Sequence, residues 1–331
     1  MKPALIRHSS ATRVALLLAA TAVVSPVPSA VAQEAALPPA QEQALETSDG
    51  VRFAAWHYPV PSESQAVATV ILIHDLGGSH KTVGDLARSL QKAGCAVVAP
   101  DLRGHGSSSS RAGDGAAARG EQGESPQLLR KSDFEAMAAS SGRVRDDPAS
   151  SNRGEIEAVR AWIKRQADAG KLDIDSLCVV GCGLGATVAA MWTAADWNWP
   201  PTTGGPQGQQ VRALVLVSPA MSKRGLSMTA PLASEPLRFS VPVMVLAGSG
   251  DREAARVFDR FKLSRPKEWF QQRDGQQPET AKDLQAPADA TAFFIQCNTT
   301  LSGDKLATDA TINAAEKMKT FIGLSLARKR D

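Results

Sequence analysis

The chain has 331 residues, 43 % of them apolar, with 37 Lys and Arg against 34 Asp and Glu. The first 32 residues carry three of those bases and no acid, so the remainder balances at 34 against 34 and offers no basic surface for nucleic acid. Roughly 300 residues beyond that leader suffice for one large α/β domain with a substantial core.

The leader is read first. Lys2, Arg7 and Arg13 precede an unbroken run of small and apolar residues from Val14 to Val24, then Pro26, Pro28 and the triplet Ala30-Val31-Ala32. That order predicts a secretory signal peptide over 1–32, cleaved after Ala32, and an exported protein, periplasmic or secreted. The apolar run is too short to span a bilayer comfortably, so no stable membrane span is expected after cleavage. Residues 33–44, rich in Ala, Pro and Gln, read as a linker, and the domain as 45–326, with a charged tail at 327–331.

Short apolar runs then alternate with helical patterns, which is the signature of parallel βαβ units. Strands are predicted at 51–60, 68–74 and 95–100, with an amphipathic helix at 81–93 between the last two. Residues 107–152 break the rhythm and read as an irregular insertion holding one short helix near 132–139. A helix at 155–169 resumes it, followed by a strand at 177–180 and a helix at 186–195. Strands at 213–218 and 241–247, a helix at 253–261, a second polar insertion at 265–288, a strand at 292–297 and a helix at 311–326 complete the series. The expected fold is α/β: a mostly parallel twisted sheet of about eight strands with helices on both faces. Three of the four cysteines, Cys95, Cys178, Cys182 and Cys297, fall in or beside these strands. Their spacing matches no zinc pattern and they read as free buried thiols, with pairing left open.

Three local patterns, in order, resemble the alpha/beta-hydrolase superfamily, nearest to its lipase-like and serine-aminopeptidase-like members. They are VILIHDLGGS (70–79), GCAVVAPDLRGHGSS (94–108) and LCVVGCGLGATVAAMW (177–192). The resemblance implies that the first turn supplies one oxyanion-hole N–H, from Asp75 or Leu76, and that Leu184 after the elbow supplies another. It makes Arg103 and His105 structural loop residues. The third pattern matches the strand–turn–helix of the nucleophile elbow, with Gly181 and Gly185 outside and Gly183, not serine, at its centre. The acid position falls on Asp251 and the base position on Ser302. All five histidines, His8, His57, His74, His80 and His105, precede residue 106, whereas the family's base comes from the C-terminal part of the fold.

In a well-studied serine protease, losing Ser or His costs about 10⁶ in turnover, and roughly 10³–10⁴ over water survives without the triad. Negligible triad chemistry is therefore expected. Glycine also adopts the strained elbow angles without a Cβ clash. Cys182 is weighed as a substitute nucleophile, but no late histidine can activate it. His74, His80 and His105 are weighed as a base or metal cluster against a role in loop packing, and Ser79, Ser107 and Ser108 as solvated loop serines. Trp192, Trp197 and Trp199, followed by Pro200 and Pro201, read either as a binding surface or as packing of a helix end. The expectation is a non-catalytic relative binding a small-molecule or protein ligand, without cofactor or metal. An ester or peptide hydrolase with a non-standard nucleophile and a structural envelope component are the alternatives.

Overall fold

The computed structural model describes residues 37–61, 64–108, 129–140, 154–201, 203, 207–274 and 289–328. The leader, the outer part of the linker, most of both insertions and the last three residues lie outside them.

Among the described residues, nine strands form one sheet. In chain order they begin with β1 (Gln41–Glu46), β2 (Arg52–Tyr58), β3 (Ala68–Ile73) and β4 (Cys95–Pro100). They continue with β5 (Leu177–Cys182), β6 (Ala213–Val217), β9 (Val243–Gly248), β10 (Trp269–Arg273) and β11 (Ala292–Cys297). The spatial order is β1-β2-β4-β3-β5-β6-β9-β11-β10, parallel from β4 to β10, with β1 and β2 antiparallel at one edge. A separate hairpin, β7 (Ser222–Lys223) and β8 (Leu226–Ser227), follows β6. Arg224 and Gly225 at its turn both have positive φ, as a two-residue hairpin turn requires.

The central strands are buried on both faces, so their sequences are unbroken apolar runs such as ATVILI in β3. Successive residues serve opposite faces. Val70 and Leu72 pack with α1 (Gly84–Lys92), α7 (Gly303–Thr308) and α8 (Ala314–Leu326). Ile71 and Ile73 pack with the side of α2 (Lys131–Met137), α3 (Glu155–Asp168), α4 (Leu184–Trp197) and α6 (Arg252–Ser264). Helix α5 (Thr229–Ala233) and a π-helical turn at Pro236–Ser240 complete the chain.

Two boundaries differ from the sequence expectation. The predicted linker ends earlier, because Gln41–Glu46 pairs along the whole of β2. QEQALE contains no β-branched or aromatic residue, and only Gln43 and Leu45 turn partly inward, which suits an exposed edge and hides the strand from pattern reading. The second insertion begins later, because Trp269–Arg273 adds a parallel edge strand to β11. Arg265 before it is 1 % exposed. The hairpin, α5, the π-helical turn and α7 were not expected at all.

Candidate functional site

The site lies at the C-terminal ends of the parallel strands, where open α/β sheets place their ligand crevices. Strand β5 runs through Gly183 directly into α4, and Gly183 has φ +54° and ψ −112°. Its N–H donates to Val217 O at 2.8 Å, tying the elbow to β6. A Cβ on Gly181 would strike Gly185 O and Ala186 Cα, and one on Gly185 would strike the backbone of Ile73 and His74. The two outer glycines thus permit the close approach of α4 to β5 and β3, in a turn that carries no side chain at its apex.

Asp75 fills the space at that apex. One carboxylate oxygen, Oδ1, accepts from Leu76 N–H at 2.7 Å and from Leu184 N–H at 2.7 Å. Lys223 Nζ, from the β7–β8 hairpin, lies 3.1 Å from Oδ1 and 3.3 Å from Oδ2. The backbone behind this carboxylate is itself held. Asp75 N–H donates to Asp304 Oδ1 at 2.8 Å, and Thr82 Oγ1 donates to Asp304 Oδ2 at 2.6 Å. Burial raises the Asp304 carboxyl above the usual carboxylate range against the pull of these bonds. His74 Nδ1 faces Asp75 O at 2.7 Å while its Nε2 accepts from Leu102 N–H, which assigns the proton to Nδ1.

The other expected residues are all placed. Asp75, Gly183, Asp251 and Ser302 line one cavity of about 540 Å³, together with Lys223 and Ser218. Asp251 caps α6, its Oδ1 accepting from Ala254 N–H at 2.9 Å. Ser302 stands at the start of α7 with no side-chain capping bond. Cys182 does not face the cavity: it is fully buried, and burial first, then Asp304 and Asp75, push its thiol well above the ordinary range. Burial of this kind disfavours the thiolate that a nucleophilic cysteine needs.

Of the three motif histidines, His74 and His105 pack ring to ring at 4.9 Å, whereas His80 turns to Asp101. His80 Nδ1 pairs with Asp101 at 2.9 Å and its ring stacks on Trp56. Asp101 also accepts from His80 N–H and Ser107 N–H, and its carbonyl from Ser108 Oγ, so it organises the loop after β4. His105 Nδ1 donates to Arg103 O, and burial lowers its imidazole to about 4. Arg103 forks onto Glu155 and Asp49, as the structural role implied. Among the described residues no group of three His, Cys, Asp or Glu could hold a metal ion. The indoles of Trp192, Trp197 and Trp199 donate to Glu157, Val211 O and Ser140; Trp192 and Trp199 are buried in packing, while the half-buried Trp197 lines a second cavity of about 470 Å³. All four cysteines are free and buried.

A family model described as alpha/beta hydrolase family matches residues 70–312. The chain belongs to the alpha/beta hydrolase family. Solved structures agree with this alpha/beta hydrolase fold at low identity. The esterase Pf2001 of Pyrococcus furiosus is 13 % identical with a TM-score of 0.53, covering 86 % of this chain and 89 % of its own. The thermophilic carboxylesterase EstE1, from a metagenomic library, is 14 % identical at 0.53, covering 88 % and 91 %. The alpha/beta hydrolase GrgF from Penicillium is 11 % identical at 0.53, covering 88 % and 100 %. No curated protein sequence matches. These likenesses show the fold and leave the chemistry of this alpha/beta hydrolase to its own residues.

Sequence reasoning missed three of those residues in their present roles. Asp75 was expected to contribute its backbone, and Lys223 and Asp304 were not considered. The available signal was indirect: an elbow glycine leaves a volume that some other group must fill.

Proposed function

We propose that this protein is an exported, non-catalytic member of the alpha/beta hydrolase family that binds a small-molecule or protein ligand at the strand-end cavity. The observation that carries the reading is the elbow itself. Its backbone keeps the nucleophile-presenting shape, yet the side chain beside it is a carboxylate bonded to two amides and an ammonium, not a hydroxyl with a base. Asp251 Oδ1 is engaged as a helix cap, and every histidine lies before residue 106. A cavity of about 540 Å³ lies in the range that ordinary small ligands fill. Export rests on the leader, and among the described residues no helix is long and apolar enough to cross a membrane.

The test is hydrolysis of a short-chain chromogenic ester and an aminopeptidase substrate by folded protein comprising residues 33–331, beside Cys182→Ala and Asp251→Ala variants. The expected result is no turnover above background in any of the three. Turnover by the parent that either substitution abolishes would replace this reading with an altered hydrolase.

A further inference from the structure

We infer that the protein carries a built oxyanion site which is filled by its own Asp75 carboxylate, and that this internal ligand closes the cavity floor to external carboxylates and related oxyanions. The inference deepens the binding reading above.

Leu76 N–H and Leu184 N–H converge at 2.7 Å on a single oxygen, Asp75 Oδ1. These are the two backbone donors that the fold aims at an oxyanion. Leu184 opens a 14-residue helix, whose N-terminus favours a negative charge. Lys223 supplies the countercharge. The site therefore has the donors, the field and the cation that a carboxylate or phosphonate ligand requires, and a carboxylate occupies it.

The niche around that carboxylate is shaped by two glycines from distant parts of the chain. A Cβ on Gly183 would overlap the whole Asp75 carboxylate, and one on Gly303 would lie 2.5 Å from Asp75 Oδ2. Both glycines have positive φ. They stand at the nucleophile position and beside the expected base position, so the side chains missing from the catalytic pattern are missing where the carboxylate needs room. Asp304 and Thr82 fix the backbone from behind, which aims the Asp75 side chain inward. Gly183 is thus required by Asp75, beyond being the least strained occupant of its turn.

The experiment follows the Leu76 and Leu184 amide signals by heteronuclear NMR on leucine-labelled protein, titrated with butyrate. In the native protein neither signal should respond. Asp75→Gly should give saturable shifts at both, with Lys223 still present to neutralise the ligand. Asp75→Asn, which keeps the side-chain size, should move both signals without added ligand, so the inference stays testable if Asp75→Gly does not fold. In parallel, Gly183→Ala should impair folding at least tenfold less in the Asp75→Gly background than in the native one. Saturable shifts in the native protein, amide signals indifferent to Asp75→Asn, or equal effects of Gly183→Ala in both backgrounds would each overturn the inference. Hydrolytic turnover would overturn the non-catalytic reading without touching this one, because the NMR reports occupancy and not chemistry.

Discussion

At the scale of single residues, the Asp75 network combines bonds of unequal worth. The Lys223–Asp75 pair joins side chains 38 % and 23 % exposed, and half-solvated ion pairs contribute about 0–1 kcal/mol. Asp304 instead satisfies the part-buried Asp75 N–H besides the exposed Thr82 hydroxyl, and stranding a buried backbone donor costs about 1–3 kcal/mol. Lys223→Ala should therefore lower stability by less than about 1 kcal/mol, and Asp304→Ala by about 1–3 kcal/mol. Urea unfolding of the two variants checks the order, and a larger loss for Lys223→Ala would show that the ion pair holds the site. The contrast also explains what the sequence disclosed. Gly183, Asp251 and Ser302 were legible because each sits at a fixed step after a strand. Residues 75, 183, 223 and 304 meet only through the tertiary fold, and no local pattern announces a carboxylate turned back onto the amide that follows it.

At the scale of elements, the same division holds between strong local periodicity and long-range support. The central strands were legible as short unbroken apolar runs, α1 and α3 because apolar residues recur at helical spacing, and α4, buried nearly all round, because it continues the strand–turn–helix pattern. The π-helical turn at Pro236–Ser240 was not, because a residue outside it holds it in place. Arg265 is buried after α6 and donates to Leu237 O and Val241 O at 2.8 and 2.7 Å, and to Arg238 O and Thr291 O at 2.9 Å. Burial lowers its guanidinium to about 10, so it remains charged at neutral pH. One side chain thus joins the turn to the strand entries of β9 and β11. Arg265→Ala leaves these carbonyls short of donors and should cost about 3 kcal/mol or more. Arg265→Lys should recover little, because three donors on one nitrogen cannot span four separated acceptors. Denaturant midpoints measure both, and a loss under about 1 kcal/mol for Arg265→Ala would mean that water replaces the guanidinium.

At the scale of the whole molecule, buried titratable groups in and away from the site shape how stability responds to acid. Burial lowers His57 and His105 from 6.5 to about 4, and lowers His74 in the same direction. Between pH 6.5 and 4 the unfolded chain binds protons at these rings that the folded chain refuses, so stability is full above 6.5 and falls as pH drops through this window. Asp196, fully buried at the end of α4, behaves oppositely. Burial raises it from 3.8 to about 6, against the pull of the Gln210 and Val211 amides. The folded chain keeps a proton there that the unfolded chain releases, so stability falls as pH rises from 3.8 to 6 and is flat above. His57 and His105 are each worth about 3 kcal/mol across their window, and Asp196 about 3 kcal/mol against them. The two imidazoles win, and the protein should gain stability on going from pH 4 to pH 7. Asp196→Asn removes the opposing group while keeping an oxygen for the two amides, so it should steepen that rise and stabilise the protein at pH 8 with little effect at pH 4. Urea unfolding at pH 4, 6 and 8 reads the slope directly. A shallower rise in Asp196→Asn would show that the buried carboxylate is ionised and supported rather than held neutral.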